Sequence, residues 1–524
     1  MPASPSTARA INDRLALSLL QQEGPLTAGQ LKQLTGLSRP TVADLVERLG
    51  AAGLITVVGE SGEQRRGPNA RLYGIVADQA HLAALDVRTG GVDVLVSDLL
   101  GRVLAEASVP IGGDTGTGPA VEQAVAAVER TAKEAGAMGA PSREGVRGWG
   151  RLHTVGIGAP GLIDPATGDL RDSGGLPAWH RSLAATLQER LPGARVTVEN
   201  ETNLAALAEQ REGAARDRDT FVLLWLGHGV GAAVVLDGTL RRGASGGTGE
   251  IGFLPVPGTG SLPSARDCDG GFHSLAGAAA IGSLATQHGL PVPTTMDGPA
   301  AAEVIRKAVA ERTGGYGPAG TVTRAGEGPA GAVGTTGEQG RADAAESVAE
   351  GSAGTAETAG QSPADAVETA GEGRAGGVGP AGEGPAGAVG TVREQGRADA
   401  AESVAEGSAG TAETAAEGGA ADAAHSGAEG PADRFLQALA DRIAIGAASV
   451  VAVLDPGCVV LGGEAGQAGG PVLAHLVEER LRRLSPLPTE VRASTLGGTA
   501  VLRGALLTAR DRAQDELFAP SDRN

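Results

Sequence analysis

Between Gly317 and Gly430 the chain consists almost wholly of Gly, Ala, Glu, Thr, Pro and Ser and contains no aromatic residue. It also repeats itself. AGEGPAGAVGT begins at Ala325 and again at Ala381, 56 residues on, and EQGRADAAESVAEGSAGTAETA follows in both copies. Two copies without an apolar residue larger than Val cannot build the shared core of a stacked repeat array. With 5 Arg against 18 Asp and Glu, the segment reads as a duplicated, acidic, disordered insertion that cannot offset its ordering entropy. The 524 residues suit two to four domains by length, and folding falls to the 410 of them outside this segment.

The insertion carries −13 of the net charge of −19, and the first 75 residues, with 8 basic and 6 acidic groups, carry +2. A small basic head therefore precedes an acidic body, which excludes a polybasic nucleic-acid binder for the whole chain but not for the head. Cys268 and Cys458 are the only cysteines, which rules out a disulfide framework and a Cys-only zinc site and fits a reducing compartment. The start lacks an apolar stretch behind a basic one, and no 18-residue apolar run is evident. The expectation is a cytoplasmic protein with no membrane partner.

In the head, Ile11, Leu15, Leu19 and Leu20 recur at helical spacing. Thr27-Ala-Gly-Gln30 matches a capping box that starts a second helix with Leu31 and Leu34 inward, and Gly36 ends it. Ser38 is the next N-cap, Pro40 sits in the first turn, and Val42, Leu45, Val46 and Leu49 form a buried stripe. This is a helix-turn-helix. Two strands, Leu54–Val58 and Arg71–Ile75, then flank a wing loop. Ser38, Arg39 and Thr41 at the third helix and Arg65 and Arg66 in the wing are the candidate contacts to double-stranded DNA, with Arg39 long enough to reach guanine O6 and N7. A helical protein-interaction module with solvated arginines is the weaker alternative.

The body from residue 81 alternates short apolar strands with Gly-rich turns. HLAALDVRTGGVDVLVSDLLGRVLAEASVP reads as three strands, and VGIGAPGLID as a buried strand running into a loop. VTVENETNLAALAEQREG gives a strand, a polar loop and a helix from about Asn203, and VVAVLDPGCVVLGGEAG places Gly462 and Gly463 after a strand. A single Gly-rich turn is weak evidence. Several at strand ends point to a two-lobed α/β body with a cleft for a phosphate-bearing or polyhydroxylated ligand.

The order winged helix, D-x-x-x-G hairpin, GIGAPG, ENETNLAALAE, GHGVGAAVVLDG, GASGGTGEIG and LDPGCVVLGG resembles the ROK family of repressors, open reading frames and sugar kinases. The resemblance covers the chain except the insertion and short ends. It implies an actin-like, ribonuclease H-like pair of α/β domains and, with the winged head, the transcription-regulator branch. The expected boundaries are a winged helix-turn-helix at 1–76, the first part of the body at 81–316, the insertion at 317–430 and the rest of the body at 431–515.

Kinases of the family carry D-x-G-G-T-K, where this chain has Asp86-Val87-Arg88-Thr89-Gly90-Gly91: Arg88 replaces the first Gly and the Lys is absent. The general-base position is Glu201 rather than Asp, a displacement of the carboxylate by roughly 1 Å, and His228 stands in the second phosphate loop. The resemblance thus implies no catalytic residue, no cofactor and no enzyme activity. Asn200 and Glu250 match positions that hydrogen-bond sugar hydroxyls, with Gly161 and Glu201 in the same cleft, although Phe253 replaces the usual His. Of the family's zinc motif only Cys268 and His273 remain, too few ligands for a metal.

The implied function is a sequence-specific DNA-binding regulator, a repressor of carbohydrate uptake or metabolism, controlled by a sugar or sugar phosphate bound between the lobes. A homodimer or homotetramer would dock on a pseudo-palindromic operator. The alternative is an ATP-dependent ROK sugar kinase with a DNA-binding head.

Overall fold

The computed structural model describes residues 5–61, 70–137, 151–171, 176–264, 267–314 and 430–518. Arg65 and Arg66 at the wing tip, Ala265 and Arg266 beside the zinc-motif remnant, and the repeat segment up to Glu429 lie outside the described residues.

The head comprises α1 (Pro5–Glu23), β1 (Leu26–Thr27), α2 (Ala28–Thr35), α3 (Arg39–Ala51), β2 (Ile55–Ser61) and β3 (Ala70–Ile75), with strand order β1-β3-β2. Its caps follow the sequence. Thr27 Oγ1 accepts from Gln30 N at 3.2 Å while Thr27 N donates to Gln30 Oε1 at 2.9 Å, and Gly36 closes α2 in the left-handed conformation. Ser38 caps α3 by accepting from Thr41 N at 3.3 Å, and Val42, Leu45 and Leu49 are buried.

Two apolar expectations fail. Ile11 and Leu15 are exposed, and the inward face of α1 is Ala16, Leu17 and Leu20. Ala16, Leu17 and Leu20 join the core with Leu31, Leu45 and Leu49, which turns Ile11 and Leu15 away, and Asp13 on the inward side pairs with Arg48 of α3 at 2.5 Å. Leu34 is half exposed and only Leu31 of α2 is buried. The wing strands also run further than expected, to Ser61 and from Ala70.

The body holds two sheets of the same topology. The first lobe contains β4 (His81–Arg88), β5 (Gly91–Asp98), β6 (Val103–Pro110), α4 (Thr117–Glu134), β7 (Leu152–Ala159), α5 (Trp179–Arg190), β8 (Arg195–Asn200) and α6 (Glu201–Glu212). The second contains β9 (Phe221–Leu226), β10 (Val230–Leu236), β11 (Thr239–Arg241), α7 (His273–Ala276), α8 (Ala278–Gln287), α9 (Gly298–Gly314), α10 (Pro431–Leu454), β12 (Cys458–Gly462), α11 (Gly463–Leu484), β13 (Glu490–Ala493) and α12 (Ala500–Leu517). Strand orders β6-β5-β4-β7-β8 and β11-β10-β9-β12-β13 correspond strand for strand: an antiparallel three-stranded meander followed by two parallel strands. The expected two-lobed actin-like body is therefore present.

Each lobe gives its last helix to a shared middle layer. Helix α6 packs on β9 and β10 of the second lobe, α12 packs on β4 and β7 of the first, and the two helices pack on each other. Leu82 and Ala84, Leu204 and Ala205, Leu223 and Val460, and Val501 and Ala505 join in one core that continues into the head through Leu17, Leu31 and Leu45. Helix α10 is long and apolar enough to cross a membrane by length and composition, with mean hydropathy 1.5. Its stripe of Phe435, Leu439, Ile443, Ala447 and Val451 is instead buried in the second lobe, as in a core helix.

Glycines set how closely this layer packs. A Cβ at Gly504 would lie 2.0 Å from the Leu204 carbonyl oxygen, and one at Gly156 would lie 2.6 Å from that of Ala505. Gly504→Ala should therefore separate α6 from α12 and leave little soluble protein or cost several kcal/mol. Gly498→Ala, at a position with open space around it, should melt close to the parent; equal melting of both variants in thermal unfolding would contradict this.

Candidate functional site

The strand ends of the two lobes frame a cavity of about 550 Å³ lined by Asp86, Arg88, Gly161, Asn200, Glu201 and Glu250, with Trp225, His228, Asp297 and Glu464 from the second lobe. All four ligand candidates from the sequence share this one cavity.

At its base β4 delivers Asp86, 2 % exposed, and then Arg88. Arg88 Nη2 donates to Asp86 Oδ2 at 2.7 Å and Nε to the same oxygen at 2.9 Å, while Nη1 reaches across the cleft to Glu464 Oε1 at 3.0 Å. His180 of α5 steadies the loop by donating from Nε2 to the Arg88 carbonyl at 3.3 Å. Burial pushes the Asp86 carboxyl up, and Arg88 offsets only part of that. Burial also opposes the Arg88 charge, but Asp86 and Glu464 outweigh it and hold the guanidinium above its ordinary value. Glu464 sits in the first turn of α11 because Gly463 turns the chain there with φ +74°, where a Cβ would lie 2.4 Å from the Leu226 carbonyl oxygen. Sequence reasoning missed Glu464. The only signal was its place after the Gly462-Gly463 turn, at a helix start that favours a carboxylate.

Helix α6 begins at Glu201, two residues earlier than expected, because Asn200 caps it. Asn200 Oδ1 accepts from Thr202 N at 2.9 Å and Asn203 N at 3.2 Å, while its Nδ2 donates to the Gly161 carbonyl at 3.0 Å. One Asn200 N–H remains for a ligand. Glu201 Oε2 is buried without a partner among the described residues. Burial, then the charge of Asp86, drives its carboxyl up to about 8. At neutral pH Glu201 is thus a hydrogen-bond donor facing the cleft. Glu250 lies at the start of a short 3₁₀ turn, Ile251–Phe253, and desolvation raises its carboxyl as well.

Among the described residues no group of three or more His, Cys, Asp or Glu side chains is arranged to hold a metal ion. Burial lowers the His273 imidazole and raises the Cys268 thiol. The Gly156 and Gly158 positions of GIGAPG face α12, where a Cβ at Gly158 would lie 2.5 Å from Val501 Cγ1. They serve packing, and Pro160 and Gly161 of that motif reach the cleft.

On the head, Ser38 and Arg39 are exposed at the start of α3 and Thr41 is half-buried, its hydroxyl 2.7 Å from that of Ser38. Arg39 forms no ion pair among the described residues. Arg48, further along the helix, pairs with Asp13 and Asp44 and is not free for phosphate.

The described residues thus form a winged-helix head on a two-lobed actin-like body. The chain matches the ROK family over residues 145–289 and 366–512 and the MarR family over residues 11–67, and it belongs to the ROK family. It is 25% identical over 252 residues to the xylose repressor of Caldicellulosiruptor bescii, spanning 47% of this chain and 59% of that protein. It is 27% identical over 252 residues to the DNA-binding transcriptional dual regulator NagC of Escherichia coli, spanning 47% and 58%. The chain thus spans under two thirds of the length of these relatives. A ROK family transcriptional regulator described as a homolog of the E. coli MLC protein superposes with a TM-score of 0.59 at 17% identity, covering 98% of each chain, and shares the fold.

Glu201 gives the site a pH signature. The folded carboxyl keeps its proton to about pH 8 where an ordinary Glu loses it near 4.5, so the fold holds an extra proton in that window and stability is lost as pH rises through it. Glu201→Gln should melt progressively higher than the parent between pH 5 and 8, by ~3 kcal/mol at the upper end. A gap independent of pH in thermal unfolding would contradict the assignment.

Proposed function

We propose that this chain is a cytoplasmic, sequence-specific DNA-binding transcriptional repressor of carbohydrate metabolism or uptake, controlled by a sugar in the interlobe cleft and without kinase activity. The observation that carries the reading is the continuity of one core from cleft to head. Helix α12 lies against β4, the strand that delivers Asp86 and Arg88, and its far end meets the head: Asp515 pairs with Arg14, and Gln514 Nε2 donates to Gln21 Oε1 at 2.9 Å. A ligand that prefers one lobe arrangement has a packed route to the DNA-binding helices.

Ser38, Arg39 and Thr41 contact the operator, Arg39 reading a base edge and the hydroxyls meeting phosphate, with Arg65 and Arg66 of the wing on the backbone. Gly161, Asn200, Glu201 and Glu250 hold the effector. Asp86, Glu201, Glu250 and Glu464 crowd the cavity while Arg88 is already paired, which favours an uncharged sugar over a sugar phosphate. Arg88 stands where kinases of the family hold nucleotide phosphates, and a protonated Glu201 donates a hydrogen bond rather than taking a proton. Two copies dock on a two-fold site.

DNA selected from a random pool by the full chain, followed by fluorescence anisotropy, tests this. A pseudo-palindromic sequence should emerge, Arg39→Ala should weaken binding to it at least ten-fold, and a neutral sugar should change the parent's affinity. No sequence preference, or sugar-dependent ATP turnover lost in Glu201→Gln, would overturn the reading.

A further inference from the structure

A second cavity, of about 670 Å³, lies between α12 and the face of β5 and β6 turned away from α4. Leu95, Val103 and Ala107 line one wall and Leu502 and Leu506 the other, with Arg510 among them. The neighbouring charges are matched without Arg510. Arg211 pairs with Asp511 at 2.6 Å, Arg503 with Glu212 at 2.9 Å and Arg102 with Asp98 at 3.2 Å. Arg510 forms no ion pair or hydrogen bond among the described residues, and its Nε is buried with no acceptor. The carboxylates of Asp93 and Glu106 on the strand wall do not pair with it. Burial pulls this guanidinium below its ordinary value, and the nearby Asp511, held by Arg211, does not restore it. Arg510 is half-buried, and leaving its buried Nε without an acceptor is costly, a cost tolerated where a ligand can complete it.

We infer that this cavity is a second ligand site, which takes a small organic carboxylate with an apolar body, its anion on Arg510 and its body between Leu95, Val103, Leu502 and Leu506. The volume suits a ligand of that size, and a carboxylate matches the planar donors of a guanidinium. The site adjoins the interlobe cleft, since Asp93 and Ser108 line both cavities, but its Arg510 end lies outside that cleft and it does not depend on the function proposed above. Its Arg510 end adjoins the turn at Gly101, near where Gln514 Nε2 donates to the Leu99 carbonyl at 3.3 Å and also bonds Gln21 of the head.

Titration calorimetry on the full chain with hexanoate and benzoate, against hexanamide, benzamide and inorganic phosphate, tests the inference. Both carboxylates should bind saturably, and the amides and phosphate at least ten-fold more weakly. Arg510→Gln should weaken carboxylate binding at least ten-fold while melting at or above the parent temperature. Hydrogen exchange on the parent chain gives a readout independent of any variant: hexanoate, and not hexanamide, should protect residues 95–107 and 502–510. Absence of saturable binding, equal binding of the amides or of phosphate, unchanged affinity in Arg510→Gln, or protection elsewhere would each overturn it.

Discussion

Among the described residues, the Arg88 guanidinium is the arginine that lines the interlobe cleft, and it touches both lobes. Asp86, Glu201, Glu250 and Glu464 converge on a cavity from which water is partly excluded, an arrangement that costs free energy unless charge is paired or neutralised. Arg88 pairs with Asp86 on its own strand and Glu464 on the opposite lobe. Glu201, left over, keeps its proton. Loss of Arg88 would leave the buried Asp86 and the half-buried Glu464 facing each other across the lobes without a cation between them.

Behind the cleft, the exchange of α6 and α12 between the lobes makes the body mechanically continuous. Each helix packs on a sheet of the other lobe, and the contact is close because Gly156, Gly158 and Gly504 carry no side chain. Relative movement of the lobes must displace α12, whose far end is tied to the head through Asp515 and Gln514. Close-packed layers of this kind shift as units.

What the sequence disclosed was mostly local. The capping box at Thr27, the cap at Ser38 and the stripe Val42, Leu45 and Leu49 are short-range chemistry and were legible, as were the strands that end in Gly-rich turns. Features set by distant partners were not. The inward face of α1 is set by the core it shares with α2, α3 and the body, so Ile11 and Leu15 looked buried from spacing alone. Arg88 stood out as an intruder in a glycine position, but its partner Glu464 lies 376 residues away. GIGAPG was legible as a buried strand running into a loop, but not that Gly156 and Gly158 make room for α12. A family resemblance supplied Asn200, Glu201 and Glu250, and the structure brings them into one cavity. It does not disclose that Asn200 is mostly engaged in holding α6 and Gly161 in place.

The α6–α12 layer joins the lobes, and the Arg88–Glu464 ion pair across the cleft sets how far they open. Spin labels on the exposed faces of α5 and α9, in a Cys268→Ser background, report the interlobe distance without ligand. The account predicts one narrow distance distribution for the parent, and a longer and broader one for Arg88→Gln. An unchanged distribution in Arg88→Gln would contradict it.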